Sequence, residues 1–336
     1  MKPAITINDV ARLAGVSPKT VSRVVNGEAY VRAATKEAVL KAIATLDYRP
    51  NMAARSLAAS RSFLICLLGM RLDAYIFSSM HSAGIRACRE RGLHLMVEEL
   101  ESIDNESLLY LENSLRQMRC EGVIITQISD RPEILDLLER LKIRYVRIGA
   151  VDNRKRSDSV TSDVAQGQQL LARHFWSLGH RRIAIASPHE QQRSHIQREL
   201  IELGCDPSNI FSLPINWQKP PIEAGIELAA TVLSQQELPT AVYAFNDEIA
   251  AGFINYVWAH GLRVPQDISV AGFDDAEISR AMWPPITTVH QPFDEMVRAA
   301  VNLLAEPAED GEPRNIIHPV ELVVRASTAA PKNKAD

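Results

Sequence analysis

From residue 63 onward, short apolar runs alternate with amphipathic stretches. "FLICLLGM" (63–70), "LHLMVEEL" (93–100), "EGVIITQI" (121–128), "IRYVRIGAV" (143–151), "RRIAIASP" (181–188), "NIFSLPINW" (209–217), "TAVYAFND" (240–247) and "ISVAGFDD" (268–275) read as strands. Several are apolar without alternation, the pattern of strands covered on both faces. Between them, "SSMHSAGIRACRERG", "NESLLYLENSLRQMRC", "PEILDLLERLK", "GQQLLARHFWSLGH", "RSHIQRELIELG", "EAGIELAATVLSQ" and "EIAAGFINYVWAHGL" carry apolar residues at helical spacing. Strand and helix in turn predict doubly wound parallel sheets with right-handed crossovers. The pattern runs through two similar halves, so it predicts two α/β lobes with a cleft between them, a closing ligand trap. Ligands in such sheets sit beyond the carboxyl ends of the strands.

The first 62 residues follow another pattern. In "TINDVARLAGVSPKTVSRVVNG" (6–27), Thr6 or Asn8 caps a helix with Asp9 in its first turn. Val10, Leu13 and Ala14 form one apolar stripe, and Gly15 ends the helix in the left-handed conformation. Ser17 caps a second helix, with Pro18 at its first position. Val21 and Val24 or Val25 face inward; Lys19, Thr20, Ser22, Arg23 and Asn26 face outward. This is a helix-turn-helix, whose second helix enters the DNA major groove. Arg23 suits a guanine, Lys19 a base or phosphate, and Thr20, Ser22 and Asn26 the backbone. A third helix, "ATKEAVLKAIATLDY" (34–48), closes the small core with Val39, Ile43 and Leu46. "RPNMAARSLAASRS" (49–62) has too little apolar surface to pack alone and reads as a hinge. Arg55 and Leu57 stand out in it, the leucine either tolerated in solvent or used as a wedge between base steps in the minor groove.

Charge agrees with this division. Residues 1–61 hold ten Lys and Arg against four Asp and Glu, and the rest of the chain 27 against 37. A basic head on an acidic body is the footprint of a polyanion partner. Four separated cysteines without a CxxC pair (Cys66, Cys88, Cys120, Cys205) read as buried, reduced thiols and not metal ligands. No apolar run reaches the ~18 residues of a membrane span. The first residues lack a secretory core, so the expected location is cytoplasmic, with the nucleoid.

The predicted strand ends carry polar side chains suited to a small ligand. They are Gln127, Asn246 with Asp247, and Asp274 with Asp275; Arg193 opens a helix just past "IAIASP", and Trp217 lies in a loop. These groups suit vicinal hydroxyls and the C–H face of a sugar. Asn246 and Asp247 also suit a helix cap, Asp274 a turn, and Trp217 simple packing.

"TINDVARLAGVSPKTVSRVVNG" followed by "YRPNMAARSLA" resembles the headpiece and hinge of the lactose/galactose repressor (LacI/GalR) family of bacterial transcription regulators. "SLGHRRIAI", "AFNDEIAAG", "HGLRVPQDISVAGFDD" and "PPITTVHQPF" are similar to that family's effector domain. The resemblance implies an all-α helix-turn-helix headpiece (1–48), a hinge (49–62), a periplasmic-binding-protein-like body (63–330) and a short disordered tail (331–336). It places Pro18, Lys19 and Arg23 at base-reading positions and Leu57 at the minor-groove leucine. Thr6, Ser17, Tyr48 and Asn51 complete the DNA-facing set. Pro18 stands where other members carry a polar residue, and it offers a base no side-chain hydrogen bond. For the effector, the resemblance implies contacts from Arg193, Asn246 and Asp274, with Trp217 and Phe293 lining the pocket. Asp163 lies near the lobe junction and Gln291 on a strand passing the cleft. The family's Asn-Pro-Phe-Phe-like stretch is here "RLDAYIFSSM", and the loop "SPHEQQ" is short. Asp73, Tyr75, Phe77 and His189 are the further pocket candidates there.

The expected function is a ligand-responsive repressor of carbohydrate-utilisation genes, released from a palindromic operator by a sugar or glycoside. The alternative is a corepressor-type regulator sensing a purine or another small metabolite, and the third reading a solute-binding protein. The expected partners are double-stranded operator DNA, the small effector and a second copy, with no cofactor, metal or membrane. No leucine heptad follows Arg325, which favours a dimer over a tetramer. An enzyme is not expected: GxSxG, Walker, GxGxxG and HExxH sequences are missing. His94, His174 and His180 read as structural, and Asp274 and Asp275 as pointing apart on a strand.

Overall fold

The computed structural model describes residues 5–25, 30–48, 56, 59, 61–70, 74–126, 131–149, 156–188, 190–216, 219–306 and 311–332. The chain divides into two compact units, Met1–Phe63 and Leu64–Asp336.

The first unit holds three helices, α1 (Ile7–Ala14), α2 (Pro18–Val25) and α3 (Ala33–Leu46). Val10, Ala11, Val21, Val24, Val39 and Ala42 form its buried centre, with Ile43, Leu46 and Tyr48 packed against it. The apolar positions are few and small, so only one face of each helix is used. The outward residues of α2 are thereby left to solvent.

The second unit contains two parallel sheets. The first lobe's strands are β1 (Leu64–Met70), β2 (His94–Leu100), β3 (Gly122–Ile125), β4 (Arg144–Ile148), β5 (Asp158–Ser162) and β11 (Asn315–His318). They lie in the order β11-β5-β4-β3-β1-β2. Its helices are α4 (Ala74–Glu90), α5 (Asn105–Met118), α6 (Pro132–Arg140) and, from late in the chain, α12 (Phe293–Ala305). The second lobe's sheet has β6 (Ile183–Ala186), β7 (Ile210–Leu213), β8 (Ala241–Tyr243) and β9 (Ser269–Ala271), in the order β7-β6-β8-β9. Around it stand α7 (Val164–Ser177), α8 (Glu190–Glu202), α9 (Pro221–Leu233), α10 (Asp247–Ala259) and the short α11 (Glu277–Ala281). An antiparallel ribbon of β10 (Thr288–His290) and β12 (Glu321–Val323) completes it.

Strand alternation decides which helices approach closely. In β6, Ile183 and Ile185 face the cluster of α7 and α8, with Leu171, Phe175 and Leu200. Ala184 and Ala186 face the other side, with Ala224, Leu228, Phe253 and Val257 of α9 and α10. The two helices cross where Gly225 and Gly252 carry no side chain. A Cβ on Gly252 would come within 2.2 Å of the Ile222 carbonyl oxygen, and one on Gly225 within 2.2 Å of that of Ile249.

The chain passes between lobes three times: from β5 to α7, from β10 to α12, and from β11 to β12. Two of these passages touch, since Asp163 N–H donates to the His318 carbonyl at 2.9 Å. This places the carboxyl ends of both sheets beside the passages, as the doubly wound pattern predicts. The expected strand through Asp275 instead ends at Ala271; Asp274 (φ 103°) and Asp275 (φ 57°) have left-handed backbones, and Asp274 keeps only an isolated bridge to His290.

The four cysteines are buried free thiols. Among the described residues, no cluster of ligating side chains suits a metal, and no helix is long and apolar enough to cross a membrane.

The α9–α10 crossing gives a stability prediction. Alanine in place of an ordinary mid-helix glycine stabilises by ~1 kcal/mol. Gly252→Ala is expected to destabilise the body instead, by about 1–3 kcal/mol, because the helices must separate. Thermal or urea unfolding checks the sign.

Candidate nucleic-acid interface and effector cleft

The headpiece surface is built by its caps. Asp9 reaches back to the start of α1, where its carboxylate accepts the Thr6 N–H at 3.0 Å and the Thr6 hydroxyl at 2.7 Å. That hydroxyl is the main cause holding the Asp9 carboxyl below its ordinary value. At the other end Gly15 has φ 67°, and Val16 N–H closes on the Ala11 carbonyl at 3.0 Å. This is the Schellman closure. Two residues later Ser17 Oγ accepts the Thr20 N–H at 3.2 Å, starting α2 with Pro18 at its first position. One short turn therefore sets the angle between α1 and α2.

Ser17, Pro18, Lys19 and Arg23 are exposed on or beside α2, and Thr20 and Ser22 are half-buried. Thr6 is exposed at the start of α1, and Tyr48 is half-buried after α3. Lys19 and Arg23 are four apart and share a face, as a groove-reading helix requires. Asn26, Asn51, Arg55 and Leu57 lie outside the described residues, as does most of the proposed hinge.

In the body, four of the predicted residues stand at strand ends of the second lobe or beside them. Asn246 follows β8 and is buried; its Oδ1 accepts the Ile249 N–H at 2.9 Å and caps α10. Asp274 follows β9, and its N–H donates to the Val289 carbonyl at 2.8 Å. Arg193, half-buried on α8, donates to the carbonyl of Ser187, the residue after β6. Gln291 follows β10 and joins the lobes. Its amide N–H donates to Asp274 Oδ1 at 2.5 Å, and its carbonyl accepts the hydroxyl of Ser162 at the end of β5.

Asp163 caps α7 by accepting the Gln166 N–H at 2.9 Å, at the lobe junction where the sequence put it. Phe293 begins α12 and Phe77 lies in α4; both are 7% exposed. Tyr75 lies in α4, but its side chain is outside the described residues, as are Asp73, Gln127, His189 and Trp217. His174 and His180 are structural: His180 sits between Thr240 and the Ala329 carbonyl, and burial pushes it down to about 4. His174 meets Thr328 at 2.9 Å.

Sequence reasoning missed the support of Asp275. Its carboxylate accepts from Arg325 at 2.5 Å, from Arg280 at 2.7 Å, and lies 3.2 Å from His290 Nδ1. Burial pushes this carboxyl up, but the two guanidiniums hold it below its ordinary value overall. Arg325 is 50 residues away in sequence, and an isolated arginine after "ELVV" carries no signal of its partner. Ser162 and Ser187 were missed because a serine at a strand end is commonplace.

Comparison with known proteins follows the same division. Residues 6–51 match the family described as bacterial regulatory proteins, lacI family, and residues 172–328 match a periplasmic binding protein-like domain. The chain is 31% identical to the HTH-type transcriptional repressor PurR of Vibrio vulnificus, covering 95% of this chain and 97% of the relative. It is 33% identical to that of Pasteurella multocida, covering 96% and 98%. The fold matches the crystal structure of the Lac repressor dimer bound to operator and the anti-inducer ONPF. That match has a TM-score of 0.80 at 28% identity, over 98% of this chain and 100% of the other.

Gly15 offers a test of the headpiece geometry. No atom lies within 4 Å of a Cβ built there, so only the left-handed backbone resists a side chain. Gly15→Ala is expected to cost the headpiece about 1–2 kcal/mol and to weaken DNA binding, with the unfolding of the body unchanged. Hydrogen exchange of the α1 and α2 amides checks the first effect.

Proposed function

We propose, on the premise that this chain belongs to the LacI family of bacterial regulatory proteins, that it is a repressor whose effector is a purine base. The family membership makes it a ligand-responsive DNA-binding transcriptional repressor and not an enzyme. The observation that carries the purine reading is the match along nearly the whole chain to HTH-type transcriptional repressors named PurR.

The chemistry of the cleft edge supports it. A purine has two apolar faces and an edge of alternating N–H donors and ring or carbonyl acceptors. Asp274 offers an acceptor to the donors, and the Arg193 guanidinium offers paired donors to a ring nitrogen and carbonyl, the geometry by which arginine takes guanine. Phe77 and Phe293 supply flat apolar surface. A sugar is the second reading. Its hydroxyls suit the same two polar groups, and the fold match to the Lac repressor favours it.

On DNA, α2 lies in the major groove of each half-site of a palindrome, with two copies of the chain supplying two headpieces. Arg23 and Lys19 carry base and phosphate contacts, and Thr20, Ser22, Thr6, Ser17 and Asn26 set register. Leu57 from each copy enters the central minor groove. The purine binds the DNA-competent form more tightly than the other, so it acts as a corepressor. Only that difference in affinity moves the equilibrium.

The deciding experiment is fluorescence anisotropy with DNA from upstream of the protein's own gene, at fixed salt. Guanine, hypoxanthine and a panel of mono- and disaccharides are added in turn. Guanine or hypoxanthine should tighten binding about 5–150-fold, the range of ordinary allosteric coupling. Release by a sugar, with no effect of either purine, would replace this reading by the second. In the same assay Arg23→Ala should lose about 1–3 kcal/mol on the specific site and relax base preference at one position. Leu57→Ala should weaken specific binding more than non-specific binding.

A further inference from the structure

The Asp274–Asp275 turn is held from below by Asp247, the neighbour of the effector candidate Asn246. Asp247 is the first residue of α10 and is fully buried. Its Oδ2 accepts the Ala276 N–H, directly after the turn, at 2.7 Å. Its Oδ1 has no hydrogen-bond partner among the described residues and is pressed against the backbone of Gly272. A Cβ there would lie 2.2 Å from that oxygen. The turn thus starts and ends on one buried carboxyl, while its two middle residues have left-handed backbones at φ 103° and 57°.

We propose that Asp247 is a positioning residue for the effector site: it holds the Asp274–Asp275 turn closed in its neutral form, and its ionisation favours opening of the turn. The proposal rests on the reading of Asp274 as an effector contact.

The groups around the carboxyl set the direction. From the turn, Asp275 repels the ionised form; from β10 the Thr288 hydroxyl, from the turn the Ala276 N–H, and from the C-terminal segment Arg325 favour it. From β8, the fully buried Tyr243 lies near both Asp247 and Asp274, with Gln168 of α7 beside it. On α10 itself, Glu248 follows, its carboxyl also pushed up by burial. Arg280 and His290 face Asp275 and are spent on it. Burial outweighs the rest and pushes Asp247 up to about 7.

An open turn exposes the carboxyl to water, where it ionises in the ordinary carboxylate range, near 3.8. The closed turn therefore binds more protons than the open one between roughly pH 4 and 7. Its advantage is complete below the lower value, falls as pH rises through the interval, and levels off above the upper one. From pH 6 to pH 8 the opening equilibrium gains about tenfold.

Hydrogen exchange of the Ala276 amide and its neighbours, corrected for intrinsic rates, reads this opening without any effector. In the wild type, protection should fall about tenfold from pH 6 to pH 8. In Asp247→Asn, a neutral isostere that keeps the acceptor, it should stay flat. The thermal midpoint of the wild type should likewise decline relative to Asp247→Asn from pH 4 to pH 7. Guanine affinity should weaken over pH 6–8 in the wild type only. The same pH profile in both proteins would overturn the proposal, as would an Asn variant that is folded but has an open turn at every pH. A guanine response retained in Asp274→Ala would end the effector reading instead, and leave the exchange result standing.

Discussion

Two consecutive aspartates in left-handed backbone are an expensive way to end a strand, and much of the body is organised around making that turn hold. Asp275 is neutralised by Arg280 from α11 and Arg325 from the C-terminal segment. Asp247 takes the next backbone N–H from beneath. Asp274, relieved of structural duty by its neighbour, keeps its carboxylate toward Gln291, and through it toward Ser162 of the other lobe. Removing one partner of a buried ion pair leaves a charge uncompensated, so the cluster stands or falls as a unit. Strain of this kind persists only where the surroundings over-determine it, and such places are commonly functional.

Under the proposed reading of Asp274 as an effector contact, the clasp from Asp274 to Ser162 links a small ligand to the whole body. It lies beside the passages of the chain between the lobes, where little rotation is needed to change the angle between the sheets. In that reading, a ligand that satisfies Asp274 competes with Gln291 and changes what holds the lobes at their edge. A single exchanged hydrogen bond is worth only about 0.5–1.5 kcal/mol, or up to about 3 when one partner is charged. That is on the scale of ordinary allosteric coupling, so the clasp is large enough to contribute and too small to lock the body in one state.

Much of this was legible in the sequence, for a physical reason. Apolar runs in strands covered on both faces and 3.6-residue stripes on helices are forced by burial, so the strand–helix alternation and both lobes were readable. The headpiece turn was readable, because Ser17, Pro18 and Gly15 each answer a local backbone demand, but Leu13, read into the apolar stripe, is exposed. Strand ends were read too long: "ISVAGFDD" looks continuous, but its last two residues bend away under contacts with Arg325, Arg280 and Gln291, which come later in the chain. Asn246 and Asp163 were read as ligand residues, and they also cap helices; one side chain serves both readings in sequence. The ligand class was the least legible feature. Sugar and purine ask for the same mixture of carboxylate, guanidinium and aromatic surface, and the sugar expectation leaned on Trp217, which lies outside the described residues. The PurR-type relatives shifted that reading to a purine.

In the proposed function, one purine site and one DNA surface share a coupling free energy. Coupling of that kind is reciprocal. Calorimetric titration of guanine into the free protein and into its complex with operator DNA therefore tests it most directly. Guanine should bind more tightly to the complex, by the same factor by which it tightens operator binding. Equal guanine affinity with and without operator would contradict it.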